Sequence, residues 1–256
     1  MTATALAGWT ISLDLWGTLI DHIDKEAVVG WRVAEFVRVL DAFGYKRSPD
    51  QVRTAVSATD QDVLNRQRRH GVQPSLDDVL AAILGPLGIP ATREMMPVLS
   101  IIHTHAALRG CPQPITGAVQ TLAALTATGA RIVLTSNTLS TTPEVHRQLL
   151  ADLALAAYFD DMLFSGELGV AKPHPDVFAT IAARAQCVPA RICHVGDDRR
   201  TDVHGALTAG CRAVHYRPTG RITHNDVPVI THLDQLVATL TATCRASDAA
   251  PVPERS

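Results

Sequence analysis

Four short, predominantly apolar runs, residues 10–15, 131–135, 191–195 and 212–216, constrain this chain more than any other feature. A strand with one face in water alternates apolar and polar residues, whereas a strand covered on both faces is apolar throughout. Each run is followed by turn residues and a segment of helical periodicity, and a weaker run lies at 162–164. Helices between successive strands supply the cover, so the chain is expected to be an α/β protein built on a doubly wound parallel sheet. With 46% hydrophobic and 19% charged residues among 256, it can bury a core of that kind.

The interval between Leu15 and Arg131 is far longer than one crossover needs, which implies an insertion. Its pattern is helical. Val28, Trp31, Phe36, Leu40 and Phe43 recur at helical intervals through 27–43. Ser48-Pro49 pairs a capping hydroxyl with proline at the first helical position, opening a helix to about Arg69. Ser75-Leu76-Asp77-Asp78 resembles a capping box with Asp in place of Glu and opens a helix that stops near Gly85-Pro86. A fourth helix is expected over about 92–108, and the run 114–129 is expected to be the helix that returns to the sheet. The expected division is therefore a core of residues 1–19 and 111–245, a helical cap over 20–110, and a frayed tail at 246–256.

Ligands of open α/β sheets bind beyond the carboxyl ends of the strands, so the residues just after each run are the candidates for function. These are Asp14-Leu15-Trp16-Gly17-Thr18, then Ser136-Asn137, then the loop from Ser165 to Pro173 with Lys172, then Gly196-Asp197-Asp198 with Asp202 beyond. That inventory suits a phosphate monoester. Asp14 can act as an in-line nucleophile and form an aspartyl-phosphate that water breaks. Asp14 and Asp197 would repel a phosphate dianion unless a cation lay between them, and Mg²⁺, an oxygen-seeking ion that accompanies phosphates, is the fitting one. Lys172 and the Ser136 hydroxyl would hold the other phosphoryl oxygens. Backbone N–H groups of the Trp16-Gly17-Thr18 turn and of Asn137 would complete the cradle, with Gly17 allowing close approach.

Four segments, LDLWGTL, LTSNT, SGELGVAKPHPDVF and HVGDDRRTDVHGA, occur in this order with a helical insert after the first. Together they resemble the four motifs of the haloacid dehalogenase superfamily, in the subfamily whose helical cap follows the first strand. The resemblance extends over nearly the whole chain. It implies Asp14 as nucleophile, Ser136 and Lys172 as phosphate ligands, Asp197 and the backbone carbonyl of Trp16 as metal ligands, and supporting roles for Asp198 and Asp202.

One position departs from the family pattern. Phosphatases of the superfamily usually carry a second Asp two residues after the nucleophile, which serves as acid and base; here Trp16 occupies that position and cannot transfer a proton. Such catalysis is worth roughly 10²–10⁴-fold, or about 3–5 kcal/mol of barrier. A good leaving group, a proton from the substrate, or Asp21, His22 or Asp198 standing in would each answer the loss. Dehalogenases of the superfamily have an aromatic residue at that position but lack the acidic pair that Gly196-Asp197 supplies. Phosphonatases need a cap lysine for a Schiff base, and this cap offers Lys25 and Lys46. The leading expectation is thus a magnesium-dependent phosphohydrolase for a small phosphorylated metabolite. The alternatives are a dehalogenase-like or phosphonatase-like hydrolase using Asp14, and a weakly catalytic metabolite-binding protein.

Several side chains have plainer readings. Asp198 and Asp202 can cap the helix that follows, Glu167 reads as a structural hydrogen-bonding residue, and His174 as a helix start. His103 and His105, two apart on a helix, do not share a face and are expected at the solvent or a hinge. Arg66, Arg68, Arg69 and His70 read as a solvated helix end, or as one arginine reaching toward an anionic substrate. The net charge of −2 offers no field for nucleic acid or an anionic membrane. No apolar stretch approaches the ~20 residues of a spanning helix, and the first residues lack the basic start of a signal peptide. Five cysteines without C-x-x-C spacing read as buried thiols in a reducing cytoplasm. A cytoplasmic monomer or homodimer is expected.

Overall fold

A computed structural model of the chain describes residues 5–219 and 226–248. The strands are β1 (Thr10–Leu13), β2 (Ile20–His22), β3 (Pro112–Pro114), β4 (Arg131–Ser136), β5 (Asp161–Phe164), β6 (Ile192–Gly196), β7 (Arg212–Tyr216) and β8 (Val229–Ile230). The helices are α1 (Lys25–Ala42), α2 (Pro49–His70), α3 (Leu76–Leu84), α4 (Met96–His105), α5 (Ala118–Thr126), α6 (Pro143–Asp152), α7 (Ser165–Leu168), α8 (Pro175–Ala185), α9 (Gly205–Thr208) and α10 (Leu236–Asp248).

Six strands form one parallel sheet in the order β5-β4-β1-β6-β7-β8. Alternate residues of a strand point to opposite faces, and here both faces are apolar. Ile132 and Leu134 join Leu122, Leu125, Leu236 and Leu240 on one side. Val133 and Leu163 join Val177, Phe178 and Ile181 on the other. The chain fills the sheet from β1 toward β5, then returns to β6 and proceeds toward β8, so the direction reverses between β1 and β6. At such a reversal the flanking loops part and leave a crevice at the carboxyl ends of the strands. Asp14 follows one of these strands and Asp197 the other, and the Asp14 amide donates to Val195 O at 2.9 Å.

The expected runs all become strands, displaced by no more than a residue or two at their ends. The two-residue β8 has too little pattern to be read in advance. The helical insertion is present and has a hydrophobic core of its own. Phe36 and Leu40 of α1, Val52 and Val56 of α2, Leu80 and Ile83 of α3, and Leu99 of α4 meet there, apart from the core beneath the sheet. Ser48 accepts from the Gln51 amide at 3.2 Å while the Gln51 side chain accepts from the Ser48 amide at 2.9 Å, a reciprocal cap. Ser75 caps α3 through the Asp78 amide at 3.1 Å. Two expected helices are shorter in the structure. The fourth begins only at Met96, where Pro97 fits the first turn, and the returning helix begins only at Ala118, after Gly117 at φ 87°.

The reason for that late start is a small antiparallel ribbon in which β2 pairs with β3, residue Ile20 opposite Pro114 and His22 opposite Pro112. The two chain passages between sheet and insertion are held side by side here. α10 runs to Asp248, beyond the expected start of the frayed tail, and residues 249–256 lie outside the described residues. Of the five cysteines, Cys193, Cys211 and Cys244 are buried, whereas Cys111 is exposed and Cys187 half-buried. Among the described residues no helix is long and apolar enough to cross a membrane.

His103 corrects the expectation of a solvent or hinge position: it is fully buried beside Phe36, and neither ring nitrogen has a hydrogen-bond partner among the described residues. Burial, reinforced by the charge of Arg32, lowers its pKa to about 3. In an unfolded chain the imidazole titrates near ~6.5, so below that pH the unfolded state takes up a proton that the fold refuses. The contribution to stability is present above ~6.5 and is lost as pH falls toward the folded value. His146, lowered to about 4 by burial, acts in the same direction. His103→Leu is expected to raise the Tm at pH 7 and to flatten the acid limb of the stability curve by up to about 1.4 kcal/mol per pH unit. Urea titrations at several pH values between 7 and 4 measure this, and parallel wild-type and variant curves would refute it.

Candidate active site at the carboxyl edge of the sheet

Lys172 lies at the centre of the crevice, almost fully buried. Its Nζ donates to Asp14 Oδ1 at 2.7 Å and to Thr135 O at 2.8 Å, and lies 2.7 Å from Asp202 Oδ1. An ammonium has three N–H donors, and all three are thereby engaged. Around it one carboxylate oxygen each from Asp14, Asp197 and Asp202 lies within 4.8 Å of the others. The Thr18 hydroxyl stands between Asp14 Oδ2 at 3.4 Å and Asp197 Oδ1 at 3.5 Å. Gly17, at φ 77°, is where Asp197 comes closest to the turn: a Cβ there would lie 2.7 Å from Asp197 Oδ2.

Electrostatics follow from this packing. Burial raises the Asp14 carboxyl, Lys172 opposes the rise, and repulsion from Asp202 and Asp197 adds to it, leaving the pKa near 7. Asp197 is pushed up to about 6 by burial and by Asp202. Burial acts upward on Asp202 as well, but Lys172 and His194 more than offset it and hold its carboxyl well below the ordinary range. The Lys172 ammonium, which burial alone would weaken, is held above its usual value by Asp14 and Asp202. Three carboxylates against one ammonium leave an excess of negative charge. An all-oxygen donor set with uncompensated charge fits a hard divalent cation such as Mg²⁺.

Asn137 serves a purpose that sequence did not reveal. Its side chain accepts from the Lys172 amide at 2.8 Å and donates to Lys172 O at 2.9 Å, which fixes the lysine loop to the end of β4. Ser136 is buried next to it, its hydroxyl 3.4 Å from Asn137 O. The expected cradle of Gly17 and Thr18 amides is corrected, because both are engaged in the turn: Gly17 N donates to Ile20 O at 2.9 Å and Thr18 N to Leu15 O at 3.3 Å. Thr18 enters the site through its hydroxyl instead.

Asp198 caps the π-type turn at Arg199–His204, accepting from the Arg200 and Thr201 amides, and it pairs with Arg68 of α2. Of the basic cluster at the end of α2, then, one arginine does cross to the core, but its partner is this carboxylate. Arg66 pairs with Asp62 at the surface. Glu167 forms two bonds with Arg147, at 2.6 and 2.9 Å, in its expected structural capacity. His174 accepts from the Asp176 amide at 3.3 Å at the start of α8.

His194 was not singled out from the sequence. It is buried beneath the lysine, with Nε2 3.2 Å from Asp202 Oδ1 and Nδ1 2.8 Å from Ser12 Oγ. Its place two residues before Gly196 puts it on the face of β6 toward Lys172, a signal that alternation alone could have carried. Trp16 is likewise fixed from several sides. Its ring stacks on His22 at 4.3 Å between centroids, and Nε1 donates to His146 Nε2 at 2.9 Å. It lines a cavity of about 280 Å³ together with α1 and the loop after β4. Lys25 lies at that cavity but is exposed and paired with Asp21 at 2.9 Å, unlike the desolvated amine that Schiff-base chemistry requires.

A parallel doubly wound sheet thus carries an aspartate after its first strand, a lysine beneath it and further carboxylates after β6, the layout of a hydrolase with an α/β core. The chain belongs to the haloacid dehalogenase-like hydrolases, whose family model matches residues 10–210. Among curated proteins it is similar to a phosphoserine phosphatase of Thermus thermophilus, 39% identical over 72 residues that cover 28% of this chain and 29% of that protein. A phosphoglycolate phosphatase of Salmonella choleraesuis is 36% identical over 94 residues, 37% of this chain and 36% of its own. The chain thus spans well under half the length of these relatives. Among solved structures, a 2-haloacid dehalogenase from Pseudomonas syringae superposes with a TM-score of 0.66 at 24% identity, over 92% of this chain and 99% of its own. A phosphatase from Thermococcus onnurineus gives 0.62 at 22% identity, over 91% of this chain and 97% of its own. These structural likenesses establish the shared fold.

Removing the central cation leaves buried carboxylates without a partner, a change that destabilises proteins by about 3–5 kcal/mol. Lys172→Met is expected to lose stability in that range in the presence of chelator. Asp14 and Asp202 would then have folded-state pKa values above their unfolded ones, so the loss deepens as pH rises. Urea unfolding at pH 5 and pH 8 reads this, and an equal deficit at the two pH values would contradict it.

Proposed function

We propose that the protein is a magnesium-dependent phosphohydrolase that passes a phosphoryl group from a small organic phosphate to Asp14 and then to water. The observation that carries this reading is the cluster of Asp14, Asp197 and Asp202 at the mouth of the sheet, with Lys172 paired to Asp14 and Asp202. The phosphatase names of the curated relatives support it. Asp14, Asp197 and the backbone carbonyl of Trp16 would hold Mg²⁺, which supplies charge neutralisation between the carboxylates and the phosphoryl oxygens.

An Asp14 oxygen attacks phosphorus in line, and the bond from phosphorus to the ester oxygen breaks with its electron pair on the leaving oxygen. Water then attacks the phosphorus of the aspartyl-phosphate and releases inorganic phosphate and the free carboxylate. Ser136 holds a phosphoryl oxygen, Lys172 does so by exchanging its bond to Asp14 for one to the phosphoryl group, Asn137 keeps the lysine loop in place, and Asp198 and Asp202 support it from behind. Residues 20–110 act as the cap that encloses the leaving group, and residues 1–19 with 111–245 as the catalytic core.

Trp16 supplies no proton, and its indole N–H is already given to His146. The leaving group therefore departs unprotonated or carries its own proton, which favours acyl and aryl phosphates over alkyl esters. An aromatic residue at this position is also what the second reading rests on, a dehalogenase in which Asp14 attacks carbon.

Phosphate release is expected to require Mg²⁺, to stop with chelator, and to fall by at least about 10³-fold in Asp14→Asn. Halide release from short haloacids that ignores chelator would instead establish the second reading. Trp16→Asp restores an acid at the leaving oxygen but removes a packed ring, so the ratio of kcat/KM for alkyl over aryl phosphates is the proper measure. It is expected to rise by tenfold or more, toward the roughly 10²–10⁴ that acid–base catalysis provides. An unchanged ratio would remove Trp16 from the account of leaving-group preference.

A further inference from the structure

The cavity above Trp16 adjoins the reacting groups through Trp16 and Asn137, so it is where the organic part of a phosphate ester would lie. This argument rests on the phosphohydrolase reading. One wall is a single face of α1, since Lys25, Val28, Val29 and Arg32 follow the i, i+3, i+4, i+7 spacing of a helix stripe. Val28, Val29, Ala107, Leu139 and the Trp16 ring make that space largely apolar.

Its charged wall has a definite order. The Arg32 side chain is only 4% exposed, with both terminal nitrogens directed at Asp60, whose side chain is 20% exposed. Both residues line the cavity, and of the two the carboxylate is the more exposed. A carboxylate has about four acceptor positions; Arg32 takes one on each oxygen of Asp60, which leaves acceptor capacity on a residue that lines the cavity. Burial pushes the Asp60 carboxyl up and Arg32 draws it back. An anionic substituent in this apolar space would meet a guanidinium whose two terminal nitrogens already go to Asp60, and would be repelled by that carboxylate. Lys25 offers little compensation, being 69% exposed and already paired with Asp21.

We propose that Asp60, backed by Arg32, is a specificity residue that accepts a hydrogen bond from the leaving group, so that the site takes small phosphate esters bearing a hydroxyl or ammonium group in preference to a carboxylate. The preference runs against what an arginine in a substrate pocket suggests at first sight, because the charge of Arg32 is masked by its partner.

Three meta-substituted phenyl phosphates, carrying hydroxymethyl, aminomethyl or carboxylate groups, test this without altering the leaving phenol greatly. The hydroxymethyl and aminomethyl esters are expected to exceed the carboxylate in kcat/KM by about ten- to hundredfold, the usual effect of one hydrogen bond to a charged group. Asp60→Asn should narrow the gap, with the ammonium ester losing most and the carboxylate ester gaining. Should Asp60→Asn fail to fold because Arg32 is left unpaired, Arg32→Gln/Asp60→Asn restores neutrality and carries the same expectation. A wild-type preference for the carboxylate ester, or an unchanged ranking in the variant, overturns the proposal. If the wild type hydrolyses none of the three, calorimetric binding to Asp14→Asn in Mg²⁺ decides. The expected ranking there keeps the assignment of Asp60 while the hydrolytic reading falls, and a reversed ranking, or no binding by any ester, overturns the assignment.

Discussion

A single buried ammonium organises this active site. Lys172 touches Asp14, Asp202 and the carbonyl of Thr135, so it joins the ends of β1, β4 and the segment after β6 at one point. Desolvating that charge would be prohibitive alone, and the carboxylates around it would repel one another without it. Each therefore makes the other tolerable. Asn137 pins the loop that carries the lysine, and His194 with Ser12 fills the space beneath. The excess of negative charge that remains suits a hard divalent cation.

Much of the sheet was legible because a strand covered on both faces has an unmistakable composition. Runs such as 131–135 and 212–216 could hardly have become anything else, and the polar residues that end them had to lie on one rim. The helix starts at Ser48 and Ser75 were equally plain, since their capping chemistry is local. What stayed hidden depends on contacts between distant segments. The ribbon of β2 and β3 consists of three residues on each side, two of them proline, and owes its existence to the two passages meeting.

Side chains followed the same division. Asp14, Lys172 and Asp202 were found because their chemistry is unusual at a strand end, and the structure does bring them together. His103 was misplaced because its polarity outweighed its position: it stands on the stripe Leu99, Ile102, His103, Ala106, whose helical spacing marks a buried face. The turn amides of Gly17 and Thr18 were assigned to a ligand before their own carbonyl partners could be known. Trp16 was recognised as a substitution, but its bond to His146, on a helix more than a hundred positions later, was beyond any local signal.

Besides the β2–β3 ribbon, main-chain atoms fasten the insertion to the core beside the lysine loop. Gly71, at φ 63°, accepts at its carbonyl from the Ala171 amide at 2.8 Å, and a Cβ there would come within 2.5 Å of His174. Val72 and Val170 pair in a short antiparallel bridge alongside. A join of this kind is blind to the identity of most side chains near it. This part of the attachment is therefore indifferent to most side-chain changes in the insertion, whereas any residue larger than glycine at position 71 would drive its Cβ into His174.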